Sequence, residues 1–276
     1  MSHTRRSRLS SFALQTLAAL WAAITLYPFF WLLTLSLKTP VQAFAMPPVW
    51  IFTPTVQNYT GLGAANFLGP FRNSLIIALS TVVASLGLGV PAAYGFSRAR
   101  FRGRRPALWA ILIIRMVPGM TYIIPFFMIY RRLGMLDTPQ ALIILYTLFN
   151  VALVIWTMQA FFDEVPRELE ESAWVDGAGL FQAFVRILLP VSGPALVATA
   201  ILCFLFSWSE FLFALVITQS VAVTAPVAIT GFLAYQGADW GKIAAATILL
   251  LAPVLIFGFA MRAFLLRGLL AGAVKG

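Results

Sequence analysis

The sequence predicts an all-α membrane protein with six transmembrane helices and both termini on the cytoplasmic side. Of its 276 residues, 61% are hydrophobic and only 10% are charged, whereas a soluble domain carries about 25% charged residues. Several apolar stretches are long enough to cross a hydrocarbon core of about 30 Å as helices. None of these stretches alternates in polarity, which is the pattern expected of barrel strands.

Six apolar stretches are predicted to span the membrane: residues 12–37, 71–96, 107–130, 140–161, 192–218 and 243–265. Residues 1–11 and 266–276 are then the N-terminal and C-terminal tails. The first stretch is too long for a signal peptide and contains Trp21, Pro28 and Trp31, so we interpret it as an uncleaved anchor. Pro118 and Pro125 predict a bent third span.

The distribution of basic residues predicts the orientation. Arg and Lys concentrate in the segments on the N-terminal side of the membrane. Cytoplasmic loops carry such an excess, so both termini are predicted to be cytoplasmic. The net charge of +10 arises mainly from these loops. No nucleic-acid partner is expected, since basic composition by itself supplies only non-specific attraction to nucleic acids. The other side holds Lys38, Arg72, Arg131, Arg132 and Lys242.

The cytoplasmic loop at residues 163–190 is acidic, unlike the other cytoplasmic segments. Acidic residues contribute little to topology, so the loop needs another explanation. Its pattern predicts a short helix capped by Asp163 and stopped at Asp176-Gly177, with Gly177 in the left-handed conformation. A second helix, at about residues 180–189, is predicted to lie along the membrane surface through Leu180, Phe184, Ile187 and Leu188, and to end at Pro190.

The same loop carries a family resemblance. Glu171-Ser172-Ala173, Gly177 and Ile187-Leu188-Leu189-Pro190 resemble the signature of permeases of bacterial binding-protein-dependent ABC importers, with Ser172 replacing the usual Ala. The C-terminal residues 266–276, Lys38-Thr39, Asn58-Tyr59 and residues 71–74 are similar to the maltose-type carbohydrate class. Residues 44–55 resemble sugar-alcohol and related sugar permeases.

The resemblance implies that the first loop helix is a coupling helix, which docks on a separate ATPase subunit. The residues expected at that contact are Glu170, Glu171, Ser172, Ala173, Trp174, Asp176, Gly177 and Ala178. Gly272, Val274 and Lys275 of the tail are expected between the ATPase subunits. The implied partners are a second homologous permease, two ATP-binding subunits, an extracytoplasmic solute-binding protein and membrane lipid, in the bacterial cytoplasmic membrane. The chain itself is expected to bind no cofactor, with ATP and Mg used by its partners.

Polar residues inside predicted spans are functional candidates, because they are costly to place in lipid. By the resemblance, the fifth span lines the translocation path, and the candidate pathway residues are Asn150, Ser207, Trp208, Ser209 and Glu210. Alternatively, Glu210 fixes helix packing by pairing with another subunit. Arg115, in the third span, is expected at a different depth from Glu210 and not to pair with it directly.

Three functions remain open at this point: a carbohydrate permease subunit, an ion-coupled secondary transporter or a permease for another solute, and a membrane enzyme. The chain has no phosphate-binding loop of the Gly-x-x-x-x-Gly-Lys-Ser type, so it is not expected to hydrolyse ATP. It shows neither the internal symmetry expected of many secondary transporters nor a reactive constellation. We therefore predict a permease subunit that carries a sugar, a sugar derivative or a sugar alcohol. Residues 219–242, with Tyr235, Gln236, Asp239 and Trp240, are either a contact for an outside partner or an ordinary interfacial loop.

Overall fold

The computed structural model describes residues 3–234 and 237–273, and their side chains within 14–233 and 238–259. Short elements join the long helices: a π-helical turn at Phe184–Leu188, a 3-10 turn at Thr230–Phe232, and two antiparallel strands, β1 (Leu233–Ala234) and β2 (Gly237–Ala238). The helices are α1 (His3–Ser36), α2 (Pro40–Ala43), α3 (Gln57–Ala64), α4 (Leu68–Arg98), α5 (Arg104–Met116), α6 (Gly119–Leu133), α7 (Pro139–Glu164), α8 (Glu168–Val175), α9 (Leu180–Ala183), α10 (Leu189–Val191), α11 (Gly193–Trp208), α12 (Leu212–Ile217), α13 (Ala225–Ile229) and α14 (Trp240–Ala273).

Within the described residues, four helical segments are long and apolar enough to cross a membrane: Leu14–Ser36, Leu68–Arg98, Pro139–Glu164 and Trp240–Phe259. Two bent helix pairs bring the number to six if each pair counts as one span. They are α5 with α6, bent by 89°, and residues Leu180–Val191 with α11, bent by 78°. The predicted all-α membrane fold is therefore confirmed.

The third predicted span bends at Pro118, as expected, but far more sharply than a kink. Val117 is extended, with φ −67° and ψ 130°, because the residue before a proline disfavours the helical conformation. Helix α5 therefore ends at Met116, and α6 starts in a new direction at Gly119. Pro125 lies inside α6 without breaking it.

The fifth predicted span, residues 192–218, is not one continuous helix. It is divided into α11 and α12 by residues 209–211. The bend before α11 lies at Ser192, whose φ −82° and ψ 3° depart from helical values. Pro190 therefore lies within α10 and does not close the preceding helix, contrary to the prediction.

The chain divides into two compact units. The first comprises Met1–Phe67 and Ile229–Leu251. In it, Asn58 of α3 donates hydrogen bonds to the carbonyls of Ser36 and Lys38, at 2.8 and 2.9 Å. A Cβ atom at Gly241 would lie 2.5 Å from Asn58 Oδ1, so this close approach requires glycine. The amide thus ties the end of α1 to α3, with the start of α14 packed against it.

The second unit comprises Leu68–Ala228 and Ala252–Gly276, and α4 and α7 form its centre. Small residues recur every four positions along α4 and are all buried: Thr81, Ser85, Gly89, Ala93 and Ser97. A Cβ atom at Gly89 would lie 2.6 Å from Val154 Cβ of α7. Such a stripe of small side chains lets two helix backbones approach closely in a membrane, where packing is the main driving force for association.

Candidate functional sites

Helix α8 ends as the sequence predicts. Gly177 has φ +88°, a conformation that glycine adopts without strain. The Gly177 N–H donates to Trp174 O at 3.0 Å, and the Ala178 N–H donates to Ala173 O at 2.9 Å. These two bonds form a Schellman motif, which satisfies carbonyls at the helix end.

One face of α8 is fixed to α4 by a buried charge. Glu170 is 1% exposed, and its Oε1 lies 2.6 Å from Arg98 Nε at the end of α4. The Tyr94 hydroxyl donates to Glu170 Oε2 at 2.9 Å. Ala173, one helical turn later, is also buried. The carboxylate is therefore paired and hydrogen-bonded, as a buried charge requires.

The predicted cap at Asp163 is wrong. Helix α7 extends to Glu164, so Asp163 lies in its last turn, and α8 begins three residues after Val165 with no side-chain cap. Asp163 instead accepts a hydrogen bond from the Ser97 hydroxyl at 2.6 Å and lies 3.3 Å from Arg104 Nη2. It therefore holds the end of α7 to α4 and α5.

The opposite face of α8 is exposed. Of the residues expected at the ATPase contact, Glu171, Ser172, Trp174, Asp176 and Gly177 are exposed, Ala178 is half-buried, and Glu170 and Ala173 face the interior of the chain. Val175 is 88% exposed. The described chain thus leaves a surface of mixed apolar and acidic character uncovered.

The second helix of the loop is oriented differently from the prediction. Phe184 and Leu188 are 7% and 0% exposed and pack in a core cluster with Val154, Met158 and Phe162 of α7. Leu180, by contrast, is exposed. The apolar spacing was identified correctly, but most of that face packs against the protein's own spans.

A cavity of about 230 Å³ lies among α5, α6, α7 and α11 in the second unit. Three predicted pathway residues line it, namely Asn150, Ser207 and Glu210. Its other lining side chains include Arg115, Tyr146, Phe149, Phe206 and Phe213. The cavity therefore combines aromatic walls with hydrogen-bonding groups, as many small-molecule sites do.

Glu210 organises the break between α11 and α12. Its Oε1 accepts from the Phe213 N–H at 2.9 Å, and its Oε2 accepts from the Ala214 N–H at 3.2 Å. The Tyr146 hydroxyl also donates to Oε2, at 2.6 Å. The carboxylate thus caps the first turn of α12, where a negative charge is favourable. This capping role was not predicted; the Tyr146 hydroxyl within an apolar span was the available signal.

Arg115 lines the same cavity without pairing with Glu210. Its Nη1 donates to Phe149 O at 2.8 Å, and its guanidinium carbon lies 4.7 Å from the centre of the Phe206 ring. No ion pair of Arg115 is present among the described residues. Asn150 donates to the Ser207 hydroxyl at 2.9 Å, and that hydroxyl donates to Cys203 O at 2.9 Å.

The two other predicted pathway residues lie away from the cavity lining. Trp208 is 4% exposed, and its ring stacks on Phe204 and meets Phe71 edge-on. Ser209 is exposed, and its hydroxyl donates to Leu205 O at 2.6 Å. Trp208 therefore packs in the interior, where no sugar ring could stack on it in this conformation.

Asp137, between α6 and α7, organises the loop that follows α12. Its carboxylate accepts hydrogen bonds from the N–H groups of Gln219, Ser220, Val221 and Ala222, at 3.0–3.1 Å, and from the Ser220 hydroxyl. Partial burial raises the pKa of Asp137, but these donors outweigh burial and hold the pKa well below its usual value. This cluster was not predicted from the sequence.

Tyr235, Gln236, Val274 and Lys275 lie outside the described residues, while Gly272 lies in the last turn of α14. Within the described part of the chain, no group of three or more His, Cys, Asp or Glu side chains could hold a metal ion.

The chain is similar to known transport proteins. A family model described as the binding-protein-dependent transport system inner membrane component matches residues 85–269. The trehalose transport system permease protein SugB of Mycobacterium tuberculosis is 37% identical, over 94% of this chain and 98% of that protein. The trehalose/maltose transport system permease protein MalG of Thermococcus litoralis is 33% identical, over 94% and 95% of the two chains. Among solved structures, a chain of a bacterial ABC transporter involved in the import of alginate, an acidic polysaccharide, matches with a TM-score of 0.77. It is 23% identical, with 94% of this chain and 97% of that chain covered.

The chain belongs to the family of inner-membrane components of binding-protein-dependent transport systems. It is thus a multi-pass permease subunit of an ABC importer in the cytoplasmic membrane. The family that was predicted from residues 171–190 is confirmed.

Proposed function

We propose that this chain is the permease subunit of an ATP-driven carbohydrate importer and that α8 couples it to a separate ATPase subunit. One observation carries the coupling role: α8 is fixed to the spans on one face and uncovered on the other. The Arg98–Glu170 pair and the Schellman end at Gly177 make α8 a rigid element. A push on its exposed face is therefore transmitted to α4.

The partners follow from the family. An importer of this kind works with a solute-binding protein, and two ATP-binding subunits and a second homologous permease complete the complex that we propose. ATP and Mg are bound by the ATPase subunits, and this chain contributes no catalytic group. Glu170 supports coupling from inside by holding α8, while the exposed Glu171 and Trp174 contact the ATPase.

The cargo is proposed to be a sugar, a sugar derivative or a sugar alcohol. Relatives at 37% and 33% identity are named for trehalose and for trehalose/maltose transport. The cavity is consistent with such a cargo, because Asn150, Ser207 and Arg115 place polar side chains in its lining, beside the aromatic Phe149 and Phe206. Sugars are bound in this way, with hydroxyls hydrogen-bonded and ring faces against aromatic walls.

Charge reversal on the exposed face of α8 tests the coupling role. The complex is reconstituted in lipid with its ATPase subunits and solute-binding protein, and ATP hydrolysis and uptake are measured with Glu171→Lys. Both should fall by about tenfold, because a like-charge or mismatched contact costs more than about 1.4 kcal/mol at an interface. Glu164→Lys changes another exposed carboxylate, outside α8, and should leave both unchanged. Normal coupling in Glu171→Lys would refute the assigned contact.

The cargo pathway is tested by two serines in one short segment. Ser207 lines the cavity, whereas Ser209, two residues later, does not. Ser207→Ala should raise the KM for uptake a few-fold, since a lost hydrogen bond is worth about 0.5–1.5 kcal/mol. Ser209→Ala should leave KM unchanged. A thermal-shift screen of the solute-binding protein with trehalose, maltose and sugar alcohols then identifies the cargo.

A further inference from the structure

Lys38 is a buried cation that has no counter-charge among the described residues. It follows the end of α1 by two residues and is only 3% exposed. Its ammonium lies 5.2 Å from the ring centre of Trp31 and 5.0 Å from that of Phe52. Within the described residues, no carboxylate pairs with it; Asp239, the one acid of its unit, pairs with Lys242 at 2.9 Å. Ring faces attract an ammonium but accept none of its three N–H bonds in ordinary geometry.

The surrounding backbone holds Lys38 in place. The Asn58 side-chain amide donates hydrogen bonds to the backbone carbonyls of Lys38 and Ser36. Thr39 and Gln42 form a capping box at the start of α2: the Thr39 N–H donates to Gln42 Oε1 at 3.1 Å, and the Gln42 N–H donates to Thr39 Oγ1 at 3.4 Å. The Gln42 side-chain oxygen is thereby occupied, while its NH₂ group remains available as a donor.

A cavity of about 330 Å³ opens beside Lys38, within the first unit. Trp31, Phe44 and Trp240 form its apolar walls, and Lys38 and Gln42 supply its polar side chains. None of its lining residues is acidic. The cavity therefore offers positive charge and hydrogen-bond donors, so the matching ligand presents anionic oxygen acceptors.

We propose that this cavity binds the phosphate group of a phospholipid headgroup. The apolar stretch Leu14–Ser36 is a candidate span, which places Lys38 at the level of the headgroups, where Trp and Lys are enriched. Met46, at the cavity, and Val41, beside it, are 96% and 82% exposed. An acyl chain covers such apolar side chains, whereas a small soluble anion would leave them in water. Lys38 Nζ and the Gln42 amide donate to the phosphate oxygens.

The test uses the full chain with its partner subunits, delipidated in mild detergent and titrated with dioleoyl phosphatidylglycerol, with bound lipid counted by native mass spectrometry. Lys38→Met should weaken lipid binding about fivefold, the effect of one basic residue near a phosphate, and Lys38→Arg should retain it. Arg72→Met, which removes an exposed cation at the start of α4, is the matched control and should bind as the unchanged protein does.

One further variant and two further ligands distinguish a phospholipid from other occupants of the cavity. Gln42→Glu preserves the capping oxygen but presents negative charge to the phosphate, so it should also weaken lipid binding. It provides the test if Lys38→Met fails to fold. Dioleoylglycerol, which lacks phosphate, should not compete, and inorganic phosphate alone should not displace the lipid. Saturation by inorganic phosphate would indicate a site for a free anion and overturn the proposal. Unchanged lipid binding in Lys38→Met, with loss of a partner subunit, would show that a protein carboxylate fills the cavity and would equally overturn it.

Discussion

Glu170 and Glu171 are neighbours of identical chemistry with opposite environments. Glu170 is buried against Arg98 and Tyr94, and Glu171 is exposed. A buried ion pair does not by itself indicate stability, but removing one of its partners leaves a charge uncompensated. Substitutions at these two positions therefore test separately the attachment of α8 to α4 and the exposed face of α8.

Glu170→Gln should destabilise the protein by about 3 kcal/mol, because the neutral amide leaves Arg98 largely buried without its counter-charge. Thermal unfolding of the purified protein in detergent measures the effect. Glu171→Gln makes the same chemical change on the exposed face and should leave the melting temperature unchanged. Equal melting temperatures for the two variants would contradict the fixing role of Glu170.

Asp137 gives a pH-dependent prediction. Its pKa is lowered in the folded state, so the folded state binds its proton less readily than the unfolded chain, whose Asp pKa is about 3.9. The stabilisation is therefore present above about pH 4 and is lost as the pH falls towards the folded-state pKa. Asp137→Asn, which tolerates the positive φ of 58° at this position, should lower the melting temperature at pH 7.

The difference in melting temperature between Asp137→Asn and the unchanged protein should shrink as the pH falls below about 4. Asp176→Asn, at an exposed position, is the matched control and should produce little difference at either pH. A difference for Asp137→Asn that stays constant down to pH 3 would show that the loop contacts, and not the charge, provide the stabilisation.

At the scale of the element, α4 carries much of the architecture. Its small residues allow α7 to approach closely, its end supplies Arg98 to Glu170, and Ser97 bonds Asp163. The same helix thus serves the core of the second unit and the attachment of α8. A disturbance of the α4–α7 contact should consequently reach α8.

Gly89→Val should destabilise the protein by about 1–3 kcal/mol, because its Cβ atom would overlap with Val154 and force the helices apart. Gly87→Val places the same side chain two residues earlier, where a Cβ atom meets nothing within 4 Å. The two variants share the helix-propensity change, so the difference in their melting temperatures isolates packing. No difference between them would refute the close contact.

At the scale of the whole molecule, the predicted orientation places residue 51 outside and α8 in the cytoplasm. Single cysteines at Ile51 and Val175, which are 95% and 88% exposed, can report it, because the natural Cys203 is buried. A membrane-impermeant maleimide should label Ile51→Cys in intact cells and Val175→Cys only after the membrane is opened. Labelling of Val175→Cys in intact cells would show that the topology is the opposite of the predicted one.

The sequence by itself determined the features that depend on local chemistry. Composition and apolar length identified the membrane fold, because lipid excludes unpaired backbone and most charges from a span. The motif at Glu171–Gly177 identified the family and the end of α8, since only a few residue types suit a left-handed helix end.

The tertiary structure decided which side chains meet. The burial of Glu170, the inward packing of Trp208 and the cap formed by Glu210 depend on residues more than 60 positions away. The ring contacts of Lys38 are with Trp31 and Phe52, 7 and 14 positions away. Hydropathy reports how apolar each stretch of the chain is, but it does not report which side of each helix faces the protein interior. Those directions follow only from the packing of the helices against one another, and they separate the exposed face of α8, the cavity lining and the core.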